Sequence, residues 1–276
     1  MASTTASLCA LLVAAFTSAG QAATLQPSDD PATSAIWLKV RASLFEGRTI
    51  APAPAGMLTL EAPARAIDAA VVPIAIRTRF PHTASRHVAK LYLVIDANPS
   101  PISAIFQFAP ESGRADVETR VRIDEYSHVR AIAEMNDGQL YAVTRFVKAS
   151  GGCSAPAAGD AAAALATLGK MRMRVEGNLA GPEPVQAQLQ INHPNHSGLA
   201  MDQLSRQFTP AHYVRKVDVT YAGKPVFSAD VDFSISENPN FRFYFVPQPG
   251  GELSTSIVDS RDLRFVSANT LRDAAQ

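Results

Sequence analysis

In Val117-Glu118-Thr119-Arg120-Val121-Arg122-Ile123 the side chains alternate, with Val117, Thr119, Val121 and Ile123 on one face and Glu118, Arg120 and Arg122 on the other. A period of two is the pattern of a β-strand with one buried and one wet face, since successive side chains of an extended chain point to opposite sides. Working outward, the same kind of signal marks strands at Val71 to Arg79, Val88 to Ile95, Ile102 to Phe108, Ala115 to Ile123, Val129 to Met135 and Gln139 to Val147. Asn136-Asp137-Gly138 joins the last two as a tight hairpin, because Asn, Asp and Gly tolerate the positive φ such turns require. Short strands separated by turn signals read as an antiparallel β-sandwich.

The period of two returns further on. Met171, Met173 and Val175 alternate with Arg172 and Arg174; Val185, Ala187, Leu189 and Ile191 alternate with Gln186, Gln188 and Gln190. Later strands are expected at Tyr213 to Tyr221, Val226 to Ile235, Phe241 to Val246 and Leu263 to Val266, with Ala222-Gly223-Lys224 as a turn. Phe241, Phe243 and Phe245 read as the inner face of their strand. The segment from Lys148 to Lys170 interrupts the pattern; Asp160 as N-cap, the alanines from Ala161 and Gly169 as C-cap give it a short helix. It reads as a linker between two domains, the alternative being a long surface loop in one. Near the N-terminus, Thr33 or Ser34 caps a short helix striped by Ile36, Trp37, Val40 and Leu44, and Ala51-Pro52-Ala53-Pro54-Ala55-Gly56 reads as an extended connector. The expected fold is all-β: two β-sandwich domains, with a short N-terminal helix and a short helix in the linker.

Composition is that of an ordinary globular chain, 47% hydrophobic and 18% charged. Lys plus Arg equal Asp plus Glu at 25 each, so the chain has no field of the kind that draws in nucleic acid, and nucleic-acid binding is set aside. No glycine phosphate loop opening a helix is present, which leaves a Rossmann or P-loop nucleotide site unsupported. Residues 1–28 carry no charged side chain, and Leu8 to Phe16 is an apolar stretch followed by small residues. This reads as a signal peptide cleaved after Ala22, leaving an exported chain with no membrane span. Cys9 lies at the front of that stretch rather than after it, against a lipoprotein anchor.

With the leader gone, Cys153 stands alone in Val147-Lys148-Ala149-Ser150-Gly151-Gly152-Cys153-Ser154-Ala155-Pro156. Gly151 and Gly152 give the backbone freedom and Pro156 ends regular structure, so the thiol is expected on a mobile, exposed arm flanked by Lys148 and Lys170. A thiol so placed is either a surface group or half of an intermolecular disulfide, or else a covalent attachment point. A cysteine hydrolase is disfavoured: His82, His87, His128, His193, His196 and His212 are available as bases, but a Gly-Gly tether is poor preorganisation. His193 and His196 with Cys153 also suit copper or zinc by donor type, although turn histidines explain them more simply. No metal or other cofactor is assigned.

Longer strings carry a resemblance. Leu60 to Pro73 (LEAPARAIDAAVVP), Phe106 to Arg114 (FQFAPESGR), Ala133 to Gly138 and Gly151-Gly152-Cys153 resemble SoxY, the thiol-bearing half of a sulfur-oxidation carrier. Ile191 to Pro194, Tyr213 to Tyr221 and Val226 to Pro239 resemble SoxZ, its partner. The order is that of a fused SoxYZ-like carrier of the kind associated with quinoprotein dehydrogenases. The resemblance implies immunoglobulin-like sandwiches and the division 1–22 signal peptide, 30–150 SoxY-like, 151–170 Gly-Gly-Cys arm and linker, 171–270 SoxZ-like. It implies a non-enzymatic carrier in thiosulfate oxidation, holding persulfide and thiosulfonate adducts on Cys153 and presenting them to periplasmic partner enzymes of the Sox or quinoprotein type. One departure stands out: SoxY ends with its arm, whereas here Ser154-Ala155-Pro156 follows and the arm is tethered at both ends. Two other roles stay open, a non-covalent docking protein for a periplasmic quinoprotein dehydrogenase and, third, a metal-delivery protein.

Overall fold

The computed structural model describes residue 26 and residues 29–156, 161–202 and 205–271; the expected leader and the Asp160 cap lie outside them. Helix α1 (Ala35–Phe45) starts where the Ser34 hydroxyl accepts the Trp37 N–H at 3.3 Å, and ends where Glu46 takes a left-handed conformation at φ 45°. Strands β1 (Ile50–Pro52), β2 (Leu58–Glu61), β3 (Val72–Thr78), β4 (Val88–Ile95), β5 (Ile102–Phe108), β6 (Val117–Val121), β7 (Ser127–Met135) and β8 (Leu140–Val147) build the first half. After α2 (Ala161–Ala166), the second half is β9 (Met171–Glu176), β10 (Val185–Ile191), β11 (Val214–Tyr221), β12 (Lys224–Val231), β13 (Asn240–Phe245), β14 (Glu252–Asp259) and β15 (Arg264–Thr270).

Each half is a two-layer sandwich of the immunoglobulin-like kind, and the two share both layers. One nine-stranded sheet runs β1-β8-β7-β4-β5-β12-β11-β14-β15, and a six-stranded sheet runs β2-β3-β6-β13-β10-β9. The joints are backbone ladders: β5 pairs antiparallel with β12 from Phe108↔Phe227 to Ala104↔Val231, and β6 meets β13 at Glu118↔Arg242. An unpaired sheet edge is a row of unsatisfied N–H and C=O groups, so each half closes the other's edges. The core crosses the joint as well: Phe227 stacks on Phe243 at 4.7 Å and packs with Phe106 and Phe241. Phe241, Phe243 and Phe245 are all fully buried, as their alternation requires.

A smaller cluster lies under α1, where Trp37, Val40 and Phe45 cover Tyr92, Val94, Ile132 and Leu140. Arg130 pins the helix entry: it grips Asp96 with two hydrogen bonds of 2.7 and 2.5 Å, donates to the Pro31 carbonyl, and lies 4.3 Å from the Trp37 ring.

Three strands escape the pattern reading. The inward row of β14 is Leu253, Thr255, Ile257 and Asp259, so the expected apolar alternation is broken by two polar residues that are nonetheless buried. Pro52 in β1 stands on a sheet edge, parallel to β8, where a missing N–H is tolerated; the expected connector is a strand there. The short β2 pairs with β3. The hairpin turns hold: Gly138 has φ 84°, and Ala222 and Gly223 have φ 50° and 78°.

Candidate functional site

Past Val121 the alternating strand leaves its ladder, and the site begins there. Arg122 N–H donates to the Ser234 carbonyl at 2.7 Å and Ile123 N–H to the Ala69 carbonyl at 2.9 Å. The Arg122 side chain, assigned to the wet face by its period, is only 4% exposed. Its Nη1 donates to the carbonyls of Asn195 (2.6 Å), Phe233 (3.2 Å) and Ile235 (3.2 Å), all from the second half. A buried charge needs such acceptors in place of water. Burial works against the guanidinium's charge, while Cys153 and Glu237 favour it. Asn195 completes the joint, its Nδ2 donating to the Ile235 carbonyl and its Oδ1 accepting the Val214 N–H.

The Gly-Gly-Cys arm lies along this tail. Gly151 N–H donates to the Asp124 carbonyl (2.7 Å) and Gly152 N–H to the Ile123 carbonyl (3.0 Å). Gly151 has φ 79°, open to glycine and costly for most other residues. At Gly152 the reason for glycine is space: a Cβ there would lie 2.1 Å from the Ala69 carbonyl oxygen and 2.7 Å from that of Ile123. From the second half, the Ser197 hydroxyl donates to the Cys153 carbonyl at 2.5 Å and accepts the Leu199 N–H at 3.1 Å.

The expected exposed thiol is therefore corrected: Cys153 is a free cysteine with no exposed surface, and its arm is docked between the halves. Burial pushes its pKa up to about 12; the Asp124 and Asp232 carboxylates add to the rise and Arg122 opposes it. The chief charges around the thiol are thus Asp124, Arg122 and Asp232, rather than the flanking lysines that the sequence suggests. Arg122, Asp124, Asp232 and Ser197 are the site residues that sequence reasoning missed. Arg122 sat inside the strand pattern itself, and nothing local marked the other three. Grooves of about 480 and 490 Å³ lie instead around Arg77, Glu118 and Arg242, and around Phe80, Arg114 and Glu183. Cys153 lines neither.

The histidines assemble differently from the expected grouping with Cys153. His193 and His212 converge on Asp259, with Nε2 of His212 at 2.8 Å and Nε2 of His193 at 3.6 Å from Oδ2, and all three residues are buried. His196 pairs with His212 through the backbone. Metal-binding histidines donate their second ring N–H to an acceptor. Here Nδ1 of His193 accepts the Asn195 N–H at 3.1 Å, which places the ring's proton on the Nε2 that faces Asp259. The other carboxylate oxygen accepts the N–H groups of Arg261 and Leu263. The arrangement is a buried staple at the ends of β10, β11 and β14, held by the His212–Asp259 hydrogen bond, with the His193 ring packed edge-on against His212 at 4.6 Å. His82 and His87 lie together beside Phe80 and Phe108, and His128 packs on Phe146.

Residues 41–153 match the model of the sulfur oxidation protein SoxY, and residues 173–270 match that of the sulphur oxidation protein SoxZ. No curated protein matches the chain. Among solved structures it is similar to the sulfur carrier protein SoxY from Chlorobium limicola f thiosulfatophilum, at 24% identity and a TM-score of 0.35, covering 41% of this chain and 90% of that one. It is also similar to a superoxide reductase (neelaredoxin) from Ignicoccus hospitalis, at 17% identity and a TM-score of 0.30, covering 34% and 80%. At such TM-scores neither likeness bears on function. Two family matches in sequence, the first ending on Cys153 itself, make this chain a fused SoxYZ-like protein, a SoxY half followed by a SoxZ half.

Proposed function

We propose that this protein is an exported periplasmic carrier that holds sulfur-containing intermediates covalently on Cys153 and presents them to partner enzymes, without catalysing a reaction itself. The observation that carries the reading is the Gly-Gly-Cys sequence ending the SoxY-matched stretch, with Cys153 the free cysteine of the described residues. Joining the Cys153 thiolate to the outer sulfur of thiosulfate forms an S–S bond and releases two electrons, so loading requires an oxidising partner enzyme. Hydrolysis of the resulting thiosulfonate adds water, releases sulfate and leaves a persulfide on the cysteine. Export is supported by the uncharged N-terminal 28 residues with their apolar stretch. Among the described residues, no helix is long and apolar enough to cross a membrane.

Intact-protein mass spectrometry on material from the native periplasm tests this. Sulfur adducts that reductant removes and that map to Cys153 are expected, together with loss of sulfur-dependent function in a folded Cys153→Ser variant. A uniformly free thiol under every growth condition would sink the reading. The full burial of Cys153 favours a second reading, a non-covalent docking protein for a periplasmic quinoprotein dehydrogenase; that protein would tolerate Cys153→Ser.

A further inference from the structure

We infer that Ser197 is a positioning residue that latches the carrier arm shut across the joint of the two halves, so that Cys153 reacts only when the Ser197–Cys153 contact opens. The inference deepens the carrier reading and takes its functional meaning from it.

The docked arm leaves no exposed surface on Cys153, and it lines neither the groove around Arg77 and Glu118 nor the one around Phe80 and Arg114. A group attached to Sγ has no access in this state, and attack on an incoming reagent requires the arm to lift. Burial together with Asp124 and Asp232 also keeps the docked thiol protonated against Arg122, so docking silences it twice, by access and by charge. The contacts to be broken divide by origin. Gly151 and Gly152 bond to the Asp124 and Ile123 carbonyls within the first half. The Cys153 carbonyl is held from the second half, by a serine 44 positions away. The Ser197 hydroxyl is oriented for this, because the Leu199 N–H occupies its acceptor side and leaves its own proton for the Cys153 carbonyl. Ser197 is itself only 8% exposed. The hinge is equally defined: at Gly151 a Cβ would meet nothing within 4 Å, whereas Gly152 fits only as glycine. Since the chain continues through Pro156 into the second half, opening is a local lift about Gly151 and not the swing of a free end.

Alkylation of Cys153 by iodoacetamide, followed by peptide mapping across a pH series, reads the latch directly; the thiolate displaces iodide, forming one C–S bond as the C–I bond breaks. For the native protein, labelling is expected to be well over tenfold slower than in urea. Its rate should keep rising with pH beyond the ordinary thiol value of about 8.5, because each deprotonation must first open the arm. Ser197→Ala should speed labelling roughly two- to tenfold, the worth of one hydrogen bond, and lower the apparent pKa correspondingly. Ser197→Thr, which keeps the hydroxyl, should restore the slow rate. Gly152→Ala, whose Cβ cannot fit, should label nearly as fast as the unfolded chain. Native labelling as fast as in urea would overturn the inference, and so would a fast Gly152→Ala beside a Ser197→Ala no different from the native protein. The probe carries no sulfur cargo, so a latch that opens as expected in a protein that never bears adducts would leave the inference standing and remove the carrier reading.

Discussion

Burying an imidazole takes away its proton, and two rings here are held neutral that way. His82 has its pKa pushed down to about 4 by burial and by His87; His193 is pushed down to about 4 by burial and His212, against the pull of Asp259. Between about pH 6.5 and 4 the unfolded chain takes up protons that the folded chain refuses. Their contribution is thus present above pH 6.5 and lost as pH falls toward 4, by roughly 3 kcal/mol per ring at 1.36 kcal/mol per pKa unit. Cys153 works on the other side. Its pKa is raised on folding, so its contribution is present below about pH 9 and lost as pH climbs toward 12. Urea unfolding at a series of pH values should show stability falling in both directions from neutrality. Cys153→Ser should remove part of the alkaline limb, and His82→Phe part of the acid limb. Limbs left unchanged by both substitutions would refute the assignment.

At the scale of the element, the turns show where local sequence and local geometry agree incompletely. Ala222 opens the β11–β12 hairpin at φ 50°, with Gly223 following at φ 78°. Two positive φ values suit a primed turn, and Asn-Gly is its preferred pair, whereas alanine carries a Cβ penalty in that region. Ala222→Asn should raise stability by about 0.5–1 kcal/mol, read as a shift of the denaturation midpoint without change of slope. No gain, or a loss, would show that the turn is set by the strands around it. The Val117–Ile123 segment makes the converse point. Arg120 and Arg122 occupy equivalent places in the alternation, yet Arg120 is exposed on the sheet and Arg122 is buried. The difference arises because the paired strand stops at Val121, after which backbone direction is set by Ala69 and Ser234.

The whole molecule behaves as one body because its sheets do not stop at the linker. β5–β12 and β6–β13 pairing, a shared phenylalanine core and Arg122 reaching three carbonyls bind the halves. Proteolytic cleavage between residues 156 and 161 should accordingly leave the two fragments co-eluting as one species on size exclusion and unfolding in one transition. Separation at neutral pH without denaturant would disprove this coupling. The docked arm belongs to the same scale, since its contacts come from Ala69, Ile123 and Asp124 on one side and Ser197 on the other.

The all-β class, most strands, the N-terminal helix and the candidate cysteine were determined by the sequence itself. Each rests on near neighbours: alternation over five to eight residues, a serine three positions before an amide, a glycine pair beside a thiol. Tertiary structure alone decided that the two sandwiches share their sheets, because edge pairing is made by backbone groups that every residue carries alike. It alone buried Cys153, Arg122 and the His193–His212–Asp259 staple, since burial depends on which distant segments meet. The flexible thiol that the glycines suggest is, in the fold, a docked one, and glycine at position 152 serves the close approach that docking needs.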